Sequence, residues 1–142
     1  MNLLFLCTGN SCRSQMAEGW ARHFASDTFV SDKWQVQSAR IESHGKNPRA
    51  IAVMQEAGVD ISAQESTQLT PEMLNAADYV VTVCGHADQH CPTLPAGTQK
   101  EHWPLDDPAR AQGSEDGIMM AFRQSRDDIQ RRVEELIQRL GA

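Results

Sequence analysis

The chain has 142 residues, enough for one domain with a real core, and its 40% hydrophobic and 23% charged content is ordinary for a globular protein. Thirteen basic against nineteen acidic side chains leave a net charge of -6, which argues against nucleic acid as a partner, and no apolar run approaches the ~18 residues of a membrane span. Any anionic ligand must therefore be held by a local cradle. Four cysteines with no export signal point to a cytoplasmic protein whose thiols are catalytic or redox-active.

The run Leu3-Leu4-Phe5-Leu6 predicts a strand, and Met16, Ala17, Trp20, Ala21 and Phe24 recur with helical period. Between them lies Cys7-Thr8-Gly9-Asn10-Ser11-Cys12-Arg13-Ser14. Strand, Gly-containing loop and helix start make an anion cradle, because successive N–H groups converge and the helix N-terminus adds about half a positive charge. A cysteine at its rim is expected to have its pKa depressed from ~8.5 towards ~3.5–7.5. Arg13 supplies a planar fork of donors suited to a tetrahedral oxyanion. A lone cysteine after a strand is usually core, and Leu-Leu-Phe-Leu-Cys superficially suits a lipoprotein signal. Core packing explains neither the Gly-Asn pair nor the arginine, and four apolar residues fall short of the ~7–15 of a signal core. The pattern Cys-x5-Arg-Ser therefore reads as a nucleophile with its own oxyanion site, Gly9 and Asn10 serving its backbone turns.

Further on, Lys33 to Ser38 alternates like a short strand, and Asn47-Pro48 opens a helix that Ile51, Val53, Met54 and Ala57 carry to Gly58. Thr70-Pro71-Glu72 starts another. Tyr79-Val80-Val81-Thr82-Val83 is a continuous run typical of a strand buried on both faces, ending at Cys84. A weak strand follows near Lys100 to Trp103, then Asp106-Asp107-Pro108. From Glu115 to Leu140 the period returns to 3.6, with Ile118, Phe122, Ile129, Val133, Leu136 and Leu140 on one stripe. Asp127–Arg131, Asp128–Arg132 and Glu135–Arg139 are expected as i,i+4 pairs on its wet face. Alternating strands and helices imply one α/β domain, residues 1–142, around a parallel sheet. Ligands of such sheets bind beyond the carboxyl ends of the strands, where Cys7 and Cys84 can share one cleft.

Cys84-Gly-His-Ala-Asp-Gln-His-Cys91 holds two cysteines and two histidines within eight residues. The spacing is not that of a zinc finger or ribbon. If the segment is helical, Cys84 and Cys91 fall on one side with His86 and His90 roughly opposite, so the four cannot converge on one ion. The cysteines fit better as relay thiols, one close to Cys7 and one further out.

With these residues in view, the sequence resembles the thioredoxin-coupled arsenate reductases of the low-molecular-weight tyrosine phosphatase fold. The similarity covers nearly the whole chain: Cys7 to Trp20, Ser43 to Pro48, Val80 to Gly85, Cys91-Pro92, Glu101 to Trp103 and Asp106 to Ala109. The Cys84/Cys91 pair makes it specific. The resemblance implies a single-domain three-layer sandwich with a four-stranded parallel sheet. It also implies that Cys7 attacks arsenate held by the amides of Thr8, Gly9, Asn10, Ser11 and Cys12 and by Arg13, with Ser14 stabilising the thiolate. Asp107, before Pro108, is implied as general acid, with Asp106 the alternative, and Cys12 as structural. Cys84 then attacks Cys7, Cys91 attacks Cys84, and thioredoxin reduces the resulting disulfide. No bound organic cofactor is needed, and phosphate or sulfate would mimic arsenate. Some relatives carry a potassium site on residues matching Asn10, Glu18 and Ser38, and their further acidic ligand is Thr67 here. Arg40 stands where relatives usually have glycine.

Two rival readings are a low-molecular-weight protein tyrosine phosphatase and a non-catalytic oxyanion sensor. Against the first, Ala-Arg-Ala-Gln after Asp107-Pro108 lacks the tyrosines common in those phosphatases, which also have no evident use for Cys84 and Cys91.

Overall fold

The computed structural model describes residues 1–7, 12–26, 34–40, 47–65, 67–83 and 94–141. Its strands are β1 (Asn2–Cys7), β2 (Gln35–Arg40), β3 (Tyr79–Thr82) and β4 (Gln99–His102). The helices are α1 (Cys12–Ser26), α2 (Pro48–Glu56), α3 (Pro71–Ala76) and α4 (Glu115–Gly141), with a 3-10 turn at Pro108–Arg110. Among the described residues none of the helices is long and apolar enough to cross a membrane.

The four strands form one parallel sheet, as the resemblance implied, and their order is β2-β1-β3-β4. Leu3 to Cys7 are buried without a break because β1 lies between two neighbours with helices packed on the sheet. Edge strand β2 alternates, and edge strand β4 is largely exposed. The predicted strand over 33–38 is found two residues later: Arg40 remains in register with Cys7 and bridges Gln68, its N–H bonding Thr67 O at 2.9 Å. Those pairings extend β2 past the alternation visible in sequence. They also give the Arg40 backbone a role.

Pro at the first helical position follows a side-chain cap in both short helices. Asn47 Oδ1 accepts from Arg49 N at 2.9 Å, and Thr70 Oγ1 from Met73 N at 3.3 Å. Helix α2 stops where predicted, and Gly58 follows at φ +86.

Helix α4 buries Phe122, Ile129, Val133 and Leu136 completely, whereas Ile118 and Leu140 at its ends are only half-buried. Ile137 is buried too, since the contact stripe is wider than one residue per turn. Of the expected helical pairs only Asp128–Arg132 forms, at 3.2 Å. Arg131 joins Asp128 instead, Asp127 takes Arg126, and Arg139 reaches Glu101 on β4 at 3.0 Å. Tyr79 Oη and Trp103 Nε1 donate to the same Glu101 carboxylate, so the edge strand is tied to β3 and α4 by one side chain.

Helix α1 lies on β1 and β2 and against α4. A Cβ on Gly19 would stand 2.5 Å from Ile61 Cγ2 and 3.1 Å from Met54 Cε, both on fully buried side chains. Alanine would gain ~1 kcal/mol of helix propensity and lose ~1–3 kcal/mol to overpacking. Gly19→Ala is therefore expected to lower the denaturant midpoint. In a double-mutant cycle with Ile61→Ala the two changes should couple favourably; additive costs would show that the close approach is not the cause.

Candidate active site

The chain leaves β1 at Cys7, whose neighbours β2 and β3 lie on opposite sides, so Cys7 stands where the winding of the sheet reverses. In parallel sheets this is where ligands bind. Cys7 is wholly buried at the carboxyl end of β1, and Cys12 opens α1. Thr8, Gly9, Asn10 and Ser11 lie outside the described residues, as do Cys84, Cys91 and the segment between them.

Arg13, in the first turn of α1, is 7% exposed. Its Nη1 donates to Leu105 O at 2.8 Å and to Val83 O at 3.4 Å, and Nη2 lies 3.7 Å from Asp107 Oδ2. Two carbonyls beyond the ends of β3 and β4 thus aim a guanidinium that the sequence places only on a helix. Val83 is bonded directly to Cys84, and its N–H donates to Leu6 O at 2.9 Å, beside the end of β1. Ser14 Oγ is wholly buried, with no hydrogen-bond partner among the described residues.

Asp107 caps the 3-10 turn as Asn47 caps α2: its Oδ1 accepts from Ala109 N at 3.0 Å, with Pro108 next in the chain. The cap fixes the carboxylate against α1, where Cys12 Sγ donates to Oδ1 at 3.7 Å. Asp106 is exposed and lines an open cleft of about 430 Å³ with Asp107, Pro108, Arg110 and Asp128. The structure thus brings Arg13, Cys12 and Asp107 together. Sequence reasoning identified Arg13 and Asp107 but missed the carbonyls of Val83 and Leu105 and the Cys12–Asp107 contact. Backbone carbonyls carry no residue signature, and 95 positions separate Cys12 from Asp107.

Burial, and then the negative charge of Asp107, push the Cys12 thiol up from an ordinary 9.0 to about 12. It is a proton-holding group at physiological pH.

The family model for low molecular weight phosphotyrosine protein phosphatases matches residues 2–142. The chain belongs to that family. Within it, the chain is 51% identical over 133 residues to a Bacillus subtilis arsenate reductase, covering 94% of this chain and 92% of that one. A solved arsenate reductase in its phosphate-binding state superposes with a TM-score of 0.70 at 39% identity, covering 97% of both chains. A Corynebacterium glutamicum thioredoxin-dependent arsenate reductase superposes with a TM-score of 0.75 at 27% identity, covering 99% of this chain and 61% of that one.

The Cys12 thiol sets an alkaline limit. Below pH 9 it is protonated in both folded and unfolded chains and adds no slope. Above 9 the unfolded chain loses the proton and the folded chain keeps it to about 12, so stability falls as pH rises through that window. The slope reaches ~1.4 kcal/mol per pH unit. Cys12→Ser should flatten the decline measured by denaturant titration between pH 9 and 11; identical slopes would contradict the assignment.

Proposed function

We propose that this protein reduces arsenate to arsenite, with Cys7 as nucleophile, Cys84 and Cys91 as relay thiols, and thioredoxin as reductant. The observation that carries the reading is the coincidence of a cysteine at the sheet's switch point, an arginine aimed by the adjoining strand ends and a second cysteine two positions past β3 in the sequence. The arsenate reductases to which the chain is similar supply the substrate, and the C. glutamicum protein the electron donor.

In this reading the loop amides of residues 8–12 and Arg13 hold the oxyanion while Cys7 thiolate attacks arsenic. The buried hydroxyl of Ser14 takes the role the family resemblance implies, stabilising that thiolate. Asp107 takes up the proton that enters with arsenate and passes it to the departing hydroxyl, which leaves as water. Cys84 thiolate then attacks Cys7 sulfur; the arsenic–sulfur electron pair stays on arsenic, arsenite departs, and a Cys7–Cys84 disulfide forms. Cys91 attacks Cys84 and frees Cys7 as thiolate. The Cys84–Cys91 disulfide takes two electrons from the thioredoxin dithiol. That regeneration suits a reducing cytoplasm.

Cys7, Arg13 and Asp107 also suffice for slow phosphoester cleavage, a side activity consistent with the family.

Arsenate-dependent NADPH oxidation with thioredoxin and its reductase tests the overall reading, and Cys7→Ser should abolish it. After arsenate treatment, Cys91→Ser should release one arsenite per chain and stall as Cys7–Cys84, whereas Cys84→Ser should release none. Peptide mass spectrometry that found Cys7–Cys91 instead would reverse the order of attack.

Cleavage of a small aryl phosphate should survive in Cys84→Ser/Cys91→Ser. Asp107→Asn should slow it by ~10²-fold or more, the usual worth of a general acid. An unchanged rate in Asp107→Asn would remove that residue from the chemistry.

A further inference from the structure

Glu18 is 4% exposed on the face of α1 that meets β2. Its Oε1 accepts from Ser38 Oγ at 2.7 Å, and its Oε2 lies 3.0 Å from Arg22 Nη2, one helical turn on. Arg22 Nη2 also donates to Val36 O at 3.0 Å. Carboxylate, guanidinium, strand hydroxyl and strand carbonyl therefore close a ring of contacts between α1 and β2. Both carboxylate oxygens are engaged.

The potassium ion that the family resemblance brings does not fit these residues. A cation taken up here would lie beside the Arg22 guanidinium, which already pairs with the buried Glu18 carboxylate at 3.0 Å, and like charges at that range repel. Thr67, at the position of the further acidic ligand, is a neutral hydroxyl. Glu65 lines the cleft of about 600 Å³ beside Glu18, Ser38 and Thr67 but is exposed; the Arg22 side chain is itself 56% exposed, yet it is the charge in direct contact with the buried Glu18 carboxylate.

We propose that Arg22 is a built-in counter-cation for Glu18, holding α1 on β2 without an alkali ion, and that removing its charge makes the Glu18–Ser38 pocket depend on one. The same helix carries Arg13 and Ser14 in its first turn, so the device holds the site's own helix in place. The inference rests on family membership and the packing of α1, and not on arsenate as substrate.

The test is thermal melting of the full reduced chain in potassium, sodium and N-methylglucamine chloride at matched ionic strength. Wild-type protein should melt at one temperature in all three. Arg22→Gln should melt roughly 3–6 °C lower in N-methylglucamine and recover part of that loss in potassium. Glu18→Gln/Arg22→Gln, with neither charge, and Arg22→Lys, with the charge kept, should be indifferent to the cation. A specific rise of the wild-type melting temperature in potassium would overturn the proposal, and so would an Arg22→Gln protein that melts alike in all three salts. If Arg22→Gln does not fold, the wild-type and Arg22→Lys melts still decide. A wild-type chain that melts alike in every salt yet fails to turn over arsenate would support this proposal and defeat the reductase reading.

Discussion

A strand buried on both faces can send its backbone hydrogen bonds only to strands on either side. Leu3 to Cys7 are such a strand, and the rest of the molecule follows from satisfying it. β2 takes one side and β3 the other, and parallel pairing then requires a crossover after each strand. The crossover from β1 is α1, whose first turn delivers Cys12, Arg13 and Ser14. Because the winding reverses at β1, Cys7 emerges in a crevice with neighbours on both sides. Burial energy thus determines where the chemistry can be.

Around that crevice, fixed backbone groups position the charges. Arg13 is anchored by the Val83 and Leu105 carbonyls, which costs it little side-chain entropy when an anion arrives. Asp107 is clamped by its own cap and by Cys12, a thiol that keeps its proton and so donates to a carboxylate beside an arginine. A preorganised donor fork can hold an oxyanion without reorganising, which is the role proposed for Arg13. Farther along α1, Glu18 and Arg22 repeat the theme with charge balanced inside the protein.

Much of this was legible in the residues themselves. The run Leu3 to Leu6 and the β-branched run Tyr79 to Val83 announced the two central strands because fully buried strands need no alternation. Asn47-Pro48 and Thr70-Pro71 marked helix starts because side-chain caps and fixed proline φ act within three residues. Where the determinants are distant, sequence reasoning slipped. The end of β2 moved from Ser38 to Arg40 through contacts with residues 67–69. Arg139 left its helical partner for Glu101, whose carboxylate Tyr79 and Trp103 already hold in place and partly out of water, so less ordering is needed to pair with it.

The sequence by itself determined the family and the α/β class, and it offered Cys7 and Arg13 through a local motif and Asp107 through the family resemblance, because motifs, periodicity and side-chain chemistry are written residue by residue. Only the tertiary structure decided that Cys12 faces Asp107, that two main-chain carbonyls aim Arg13, and that Arg22 neutralises Glu18. Those facts depend on which distant backbone and side-chain atoms burial forces into contact, and no spacing along the chain encodes them.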